Sequence, residues 1–310
     1  MIKISVIISV YNKEAHIENT LQSVFNQSYK NFEIIAINDG STDKSLDILH
    51  QIKDTRLRVF SQQNLGASAA RNRGIKEAST QYIALLDGDD IWLPNYLKDM
   101  VTLIKNHPQE HVFACAIANT YNNRIIPVTY NFKDNDLIKV RDYFKNSTHS
   151  YTLLTSSSII FKKDIIDTTG WYDTSIKSGQ DTDMWIRIGM HYNVVFLNSV
   201  LVHYKYINDS LSNTSFNPNT KPKYDKYKIE ESKNSDLKAF VDRNRYSLAI
   251  LSRLNGNRTA YTFYKTAIDL KNIRTHQRIL LYCPSWLLKT LLKLKSLKGK
   301  KVYYIPLNKV

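Results

Sequence analysis

Apolar runs alternate with helical patterns along the first part of the chain, and each run breaks off into polar residues. Ile4-Ser5-Val6-Ile7-Ile8-Ser9-Val10 is β-branched and gives way to Tyr11-Asn12-Lys13-Glu14. Ile17, Leu21, Val24 and Phe25 then recur at helical spacing. Phe32-Glu33-Ile34-Ile35-Ala36-Ile37 reads as a second strand, ending in Asn38-Asp39-Gly40-Ser41-Thr42-Asp43. Ser41, Thr42 and Asp43 are all suited to cap the next helix, which carries Leu46, Ile48, Leu49 and Ile52. Arg56-Leu57-Arg58-Val59-Phe60 reads as a third strand, Ala67 to Ala78 as a third helix, and Tyr82-Ile83-Ala84-Leu85-Leu86 as a buried strand. Strand–helix–strand alternation with short connections predicts an α/β fold with a parallel sheet covered on both faces.

In such a sheet the loops after parallel strands share one edge, and ligands bind in the crevice there. Tyr11 to Glu14, Asp39 to Asp43 and Asp87 to Asp90 would therefore converge. Asp87-Gly88-Asp89-Asp90 places three carboxylates within four residues. Crowded carboxylates repel one another, and a divalent cation relieves the repulsion. A hard cation held by Asp-x-Asp on one side and phosphate oxygens on the other handles a nucleoside diphosphate. The alternative is a solvated turn that caps a helix beginning near Pro94, since Asp and Gly favour turns.

With these segments in order, the chain resembles family 2 of the inverting GT-A glycosyltransferases. The marks are Ser5 to Asn12, Asn38 to Asp43, Asn64-Leu65-Gly66 with Ala69-Ala70-Arg71-Asn72-Arg73-Gly74, and Leu86 to Asp90. Gly170-Trp171-Tyr172-Asp173 and the segment Gly179 to Arg187 look like the family's acceptor-side segments. The resemblance covers residues 1–212 and implies a Rossmann-like, mostly parallel sheet flanked by helices.

It also implies roles. Val10 would contact the nucleotide, Tyr11 would stack on or flank its base, and Glu14 would reach ribose hydroxyls. Asp39 would accept a hydrogen bond from a base edge that presents N–H, such as uracil. Arg71 would lie near the nucleotide and its phosphates, with Arg73 an ordinary exposed cation. Asp87 would contact ribose or metal, Asp89 would ligate Mn²⁺ or Mg²⁺ directly, and Asp90 would point elsewhere. Inversion is a single displacement, so a base must take the acceptor's proton. The family's base is the second acid of a pair, here Asp181, while Gln180 stands where the first acid is usual. Losing that charge lessens repulsion at Asp181. The plainer reading makes Asp43, Asp181 and Asp183 acids at helix N-termini, stabilised by the dipole. Thr155-Ser156-Ser157-Ser158 either lines the acceptor pocket or is a polar strand end.

A second departure lies at Val202 to Ser212. Family members often read Tyr-Arg-x-x-His there, and that His can complete a metal site. Here Lys205 replaces the Arg and the His position is not filled; His203 is out of register, and Asn208 or Asp209 could substitute.

Charge divides the chain. The whole carries 43 basic and 28 acidic residues, a net of +15. Residues 201–310 hold 22 of the basic and 7 of the acidic ones, and so carry all of the excess, with no acid after Asp269. Such a patch seeks polyanions, either nucleic acid or an anionic membrane. No interleaved aromatics on a recognisable nucleic-acid-binding module are present, so nucleic acid is excluded as the expected partner. Ser285 to Lys298 instead patterns as an interfacial amphipathic helix, with leucines at 287, 288, 291 and 294, lysines at 289 and 293, and Trp286 near its start. The alternative is a helix that packs its leucines on the fold. Ser247 to Leu270 reads as helical, residues 213–235 as a polar linker or lid, and 236–310 as a basic helical extension.

Two cysteines, Cys115 and Cys283, make neither a disulfide framework nor a zinc site. No signal peptide or membrane-spanning apolar run is seen, which places the expected site in the cytoplasm, peripheral to the inner membrane. The expectation is a metal-dependent glycosyltransferase that moves a sugar from a nucleotide donor to a saccharide or lipid-linked saccharide, in bacterial surface polysaccharide synthesis. The competing expectation is a catalytically inactive, nucleotide-sugar-binding scaffold of the same fold.

Overall fold

The structure, a computed structural model, describes residues 1–121, 124–130, 132, 136–205 and 217–297. The chain divides into two compact units, Met1–Tyr206 and Ile207–Val310.

The first unit opens as the hydrophobic pattern predicts: β1 (Ile4–Val10), α1 (Ile17–Phe25), β2 (Phe32–Asn38), α2 (Ser45–Gln51), β3 (Leu57–Ser61), α3 (Ala67–Glu77) and β4 (Tyr82–Asp87). It continues through β5 (Ile91–Trp92), α4 (Tyr96–Asn106), β6 (Val112–Tyr121), β7 (Arg124–Pro127), β8 (Ile138–Arg141) and α5 (Tyr143–Ser147). A 3₁₀ turn at Ser156–Ser158, β9 (Ile159–Lys162), α6 (Ile165–Thr169), α7 (Gln180–His191) and β10 (Val194–Lys205) complete it.

The sheet runs β3-β2-β1-β4-β9-β6-β10-β5, with β7 on β6 and β8 on β10. β3, β2, β1 and β4 are mutually parallel, and β9 is antiparallel to both β4 and β6. β1 and β2 are mostly apolar and buried along almost their whole length because both faces are covered, as parallel strands require. The register fixes the site: Val10 pairs with Asn38, and Ser9 with Asp87. The loops after β1, β2 and β4 therefore leave the sheet side by side. α3 lies unusually close to β1, since a Cβ placed on Gly74 would come within 2.3 Å of Ile7 Cγ2.

The second unit is helical: α8 (Lys228–Lys233), α9 (Ser235–Leu254), α10 (Arg258–Thr266), α11 (Thr275–Tyr282) and α12 (Ser285–Leu297). The single helix expected over Ser247 to Leu270 is two helices. Gly256 takes a left-handed φ of 73° between them, and the Asn257 side chain caps α10 by accepting from Ala260 N. The described part of the expected linker is also structured. Tyr224 and Tyr227 are buried in a 3₁₀ turn, and Glu231 of α8 accepts two hydrogen bonds from the Arg245 guanidinium, at 2.6 and 2.7 Å. Residues 213–216 lie outside the described residues. Among the described residues, no helix is long and apolar enough to cross a membrane.

Candidate functional site

Five polar contacts zip the loop after β1 to the loop after β2. Asn12 adopts a left-handed φ of 52°, which an Asn tolerates. That turn lets Asn12 N donate to Ser41 Oγ (3.1 Å) while its Oδ1 accepts from Thr42 N (2.8 Å). Lys13 N donates to Ser45 Oγ, and Glu14 N to Asp43 Oδ2. The Glu14 side chain then accepts from Lys44 N at the start of α2 (2.9 Å). Glu14 and Asp43 thus share the task of a helix N-terminal acid. Glu14, expected to reach ribose hydroxyls, thus has its Oε2 on the backbone at the start of α2.

Asp39 is committed in the same way. Only 3% exposed, it accepts from Gln62 Nε2 (2.8 Å), Leu65 N (3.0 Å) and Gly66 N (2.8 Å). A carboxylate offers about four acceptor positions. Three are spent on folding the loop that leads into α3, where the sequence reading gave the carboxylate to a base edge. Val10 is buried, and its carbonyl accepts from Asp39 N. Tyr11 is 43% exposed on the same edge and presents an open aromatic face.

The acids after β4 meet the first turn of α7. Arg71, 4% exposed on α3, donates to Asp87 Oδ1 (2.7 Å) with one amino group and to Asp181 Oδ1 (2.9 Å) with the other. The Tyr172 ring lies under the guanidinium at 5.6 Å. Arg71, expected near the nucleotide and its phosphates, here forms a buried bridge between two carboxylates. Burial opposes the guanidinium's charge, but Asp181 and Asp87 outweigh it and hold its pKa above the ordinary value. Asp181 follows Gly179, whose φ of 90° turns the chain into α7. Burial raises the Asp181 pKa, Arg71 pulls it down and Asp87 pushes it up; the net shift is upward. Gln180 is buried, and its Oε1 has no hydrogen-bond partner among the described residues. Asp183 is fully buried and paired with Arg187 at 3.0 Å, which makes it a structural acid.

Asp90, expected to point away from the metal site, is tied to the serine turn and to β10. It is buried, and it accepts from Ser157 Oγ (2.5 Å) and Lys205 N (2.8 Å). Ser157 also accepts from Asp87 N, so the serine run holds the acidic loop in place. Burial, with Asp89 and Asp87 close by, pushes the Asp90 pKa well up. Asp89 accepts from Lys13 Nζ at 2.5 Å, and burial still leaves its pKa raised. His16 Nδ1 lies 3.2 Å from Lys205 Nζ. Burial, then Lys205, lowers the His16 pKa below the ordinary imidazole value. Lys13, Ser157 and Tyr172 stand in segments singled out from the sequence, but none of their contacts with the acids or with Arg71 is signalled there. Lys13 stands inside a quoted motif, but nothing in its spacing points to an acid 76 residues away.

The donor set suits a hard divalent cation. Asp87 gives one oxygen to Arg71 and Asp89 one to Lys13, which leaves Asp87 Oδ2 and Asp89 Oδ1 uncommitted among the described residues. Mg²⁺ and Mn²⁺ sites use one or two carboxylates together with substrate phosphates rather than an all-protein cage. No cluster of three His, Cys, Asp or Glu is present among the described residues, in keeping with a site that needs the substrate's oxygens. Asn208 and Asp209 lie outside the described residues.

A mostly parallel sheet flanked by helices, with the loops after β1, β2 and β4 side by side at one edge, is a GT-A type fold. Residues 5–170 match the model of glycosyl transferase family 2, and the chain belongs to that family. It is 29% identical over 220 residues to an uncharacterised glycosyltransferase of Rickettsia typhi, covering 69% of this chain and 67% of that protein. It is 30% identical over 224 residues to glycosyltransferase GlyA of Streptococcus pneumoniae, covering 68% of this chain but 31% of GlyA. Several relatives are thus much longer than the shared part. The fold matches that of S. aureus TarS residues 1–349 in complex with UDP-GlcNAc, with a TM-score of 0.72 and 19% identity over 96% of this chain and 93% of that one.

Proposed function

We propose that the protein is a metal-dependent, inverting glycosyltransferase that takes a UDP-sugar and glycosylates a hydroxyl of a saccharide or lipid-linked saccharide in bacterial surface polysaccharide synthesis. The observation that carries this is the Asp87–Arg71–Asp181 bridge, which fixes an acceptor-side carboxylate against the acidic turn of the donor side. The TarS fold, described with UDP-GlcNAc and with UDP, supports the donor class. Tyr11 offers a stacking face for the base. A bound Mn²⁺ or Mg²⁺ would be held by Asp89 and Asp87 and would neutralise charge on the leaving diphosphate. Asp181 takes the acceptor hydroxyl's proton as that oxygen attacks the anomeric carbon, and Arg71 holds the carboxylate oriented. What favours a base over the inert-scaffold alternative is that Asp181 is present and is tied by Arg71 to the acidic turn after β4.

The test is UDP release from a panel of UDP-sugars, with and without chelator. Asp89→Ala should abolish turnover and metal-dependent UDP binding while circular dichroism stays native; full activity in excess EDTA sinks the metal assignment.

We place the enzyme at an anionic membrane surface on the cytoplasmic side. In α12, Leu288 is buried, so the leucine stripe read from sequence is split between packing and solvent. Trp286 is 68% exposed, and Lys289 and Lys293 follow it at i+3 and i+7 on an exposed face. Basic residues near such a surface contribute about 1 kcal/mol each. Lys289→Gln/Lys293→Gln should therefore weaken binding to vesicles containing anionic lipid roughly 30-fold at low salt. Unchanged vesicle binding removes this face from the reading.

A further inference from the structure

The acid cluster already carries a cation of its own. Lys13 Nζ lies 2.5 Å from Asp89 Oδ2, and both side chains are largely buried, at 22% and 12% exposure. The lysine is held there from both ends. Its N–H is tied to Ser45 Oγ, and its carbonyl accepts from His16 N and Ile17 N as α1 begins. Its stem runs over Gly88, where a Cβ would lie 3.4 Å from Lys13 Cγ. Gly88 thus leaves the aliphatic chain room to cross the Asp-x-Asp turn.

We propose that Lys13 is a latch that makes metal binding at Asp89 conditional on the nucleotide, an inference that rests on Asp89 being the metal ligand. In the empty enzyme the ammonium holds Asp89 Oδ2 and sets a positive charge beside Asp89 Oδ1, the oxygen left for a divalent cation. A divalent ion arriving alone must either bind against that charge or displace it from its carboxylate, and both are unfavourable. A diphosphate changes that balance. It brings negative oxygens with which the released ammonium can pair, and it supplies the remaining ligands for the cation. Metal and donor then enter together, and Asp89 is not left loaded between turnovers. Lys205, the next basic group at this edge, is engaged elsewhere, with His16 through its ammonium and with Asp90 through its main-chain N–H.

The experiment is Mn²⁺ binding, followed by electron paramagnetic resonance of free Mn²⁺, in the full chain with and without UDP. Wild type should bind Mn²⁺ weakly alone and at least tenfold more tightly with UDP. Lys13→Gln, which keeps a long polar side chain, should bind Mn²⁺ without UDP at least tenfold more tightly than wild type, and Asp89→Asn should cancel that gain. If Lys13→Gln and wild type bind Mn²⁺ equally without UDP, while both bind it with UDP, the latch is overturned and the metal site stands. If no form binds Mn²⁺ even with UDP, the metal assignment itself fails and the latch falls with it. A folded Lys13→Gln protein with weakened Mn²⁺ binding would also overturn the proposal.

Discussion

Replacing Asp181 by Asn should lower kcat by roughly two to four orders of magnitude while UDP affinity changes by no more than a few fold. The amide keeps the shape and can still accept from Arg71, but it cannot take a proton. Single-turnover transfer and UDP titration measure the two quantities separately. The wild-type pH profile carries a second readout. A protonated base is inactive, so activity falls as pH drops through the Asp181 pKa, which burial lifts above the ordinary carboxylate value of about 3.9. The acid limb of kcat/KM should accordingly lie above that value, and Arg71→Met should move it higher by removing the one nearby cation that lowers it. Retained kcat in Asp181→Asn would deny Asp181 the role of base. Asp183 would not inherit it, because it is fully buried against Arg187.

Arg71→Met should be the most destabilising single change at the site. It strands two carboxylates that now share one buried guanidinium, at 2.7 and 2.9 Å. Removing one partner of a buried pair costs about 3–5 kcal/mol. Asp87 and Asp181 remain 25% and 33% open to solvent, so the lower end, about 3 kcal/mol, is expected. In a unit of this size that corresponds to roughly 6–12 °C in Tm. Arg71→Met combined with Asp181→Asn should recover part of the loss, since one stranded charge has gone. A Tm within one or two degrees of wild type would show that the bridge contributes little.

Much of the fold is legible in the sequence because β1, β2 and β4 are mostly apolar runs that end abruptly in polar residues. Parallel packing then dictates that their loops meet, and Val10, Asn38 and Asp87 do end on one edge. Individual side-chain roles are less legible, because a motif names residues without saying which neighbour claims them first. Asp39 and Glu14 look like ligand-facing acids, yet backbone N–H groups of adjacent loops take up their oxygens. Arg71 and Asp181 are 110 residues apart, and no local pattern announces their contact. The break between α9 and α10 had a local signal, Asn255-Gly256-Asn257, which the apolar periodicity on either side masks.

Gly74 gives the site an unexpected dependence. It lets α3 settle directly on Ile7, and Arg71 stands one turn earlier on that helix. The guanidinium's reach to Asp87 and Asp181 is thus set by how deeply a helix rests on a strand, at a point that touches no substrate. Core drift that lifts α3 by a methyl's thickness would lengthen both ion pairs before it exposed any apolar surface. On the role proposed for Asp181, the acid limb of the activity profile is tied to a van der Waals contact, and selection on catalysis would be felt at a glycine in the hydrophobic interior.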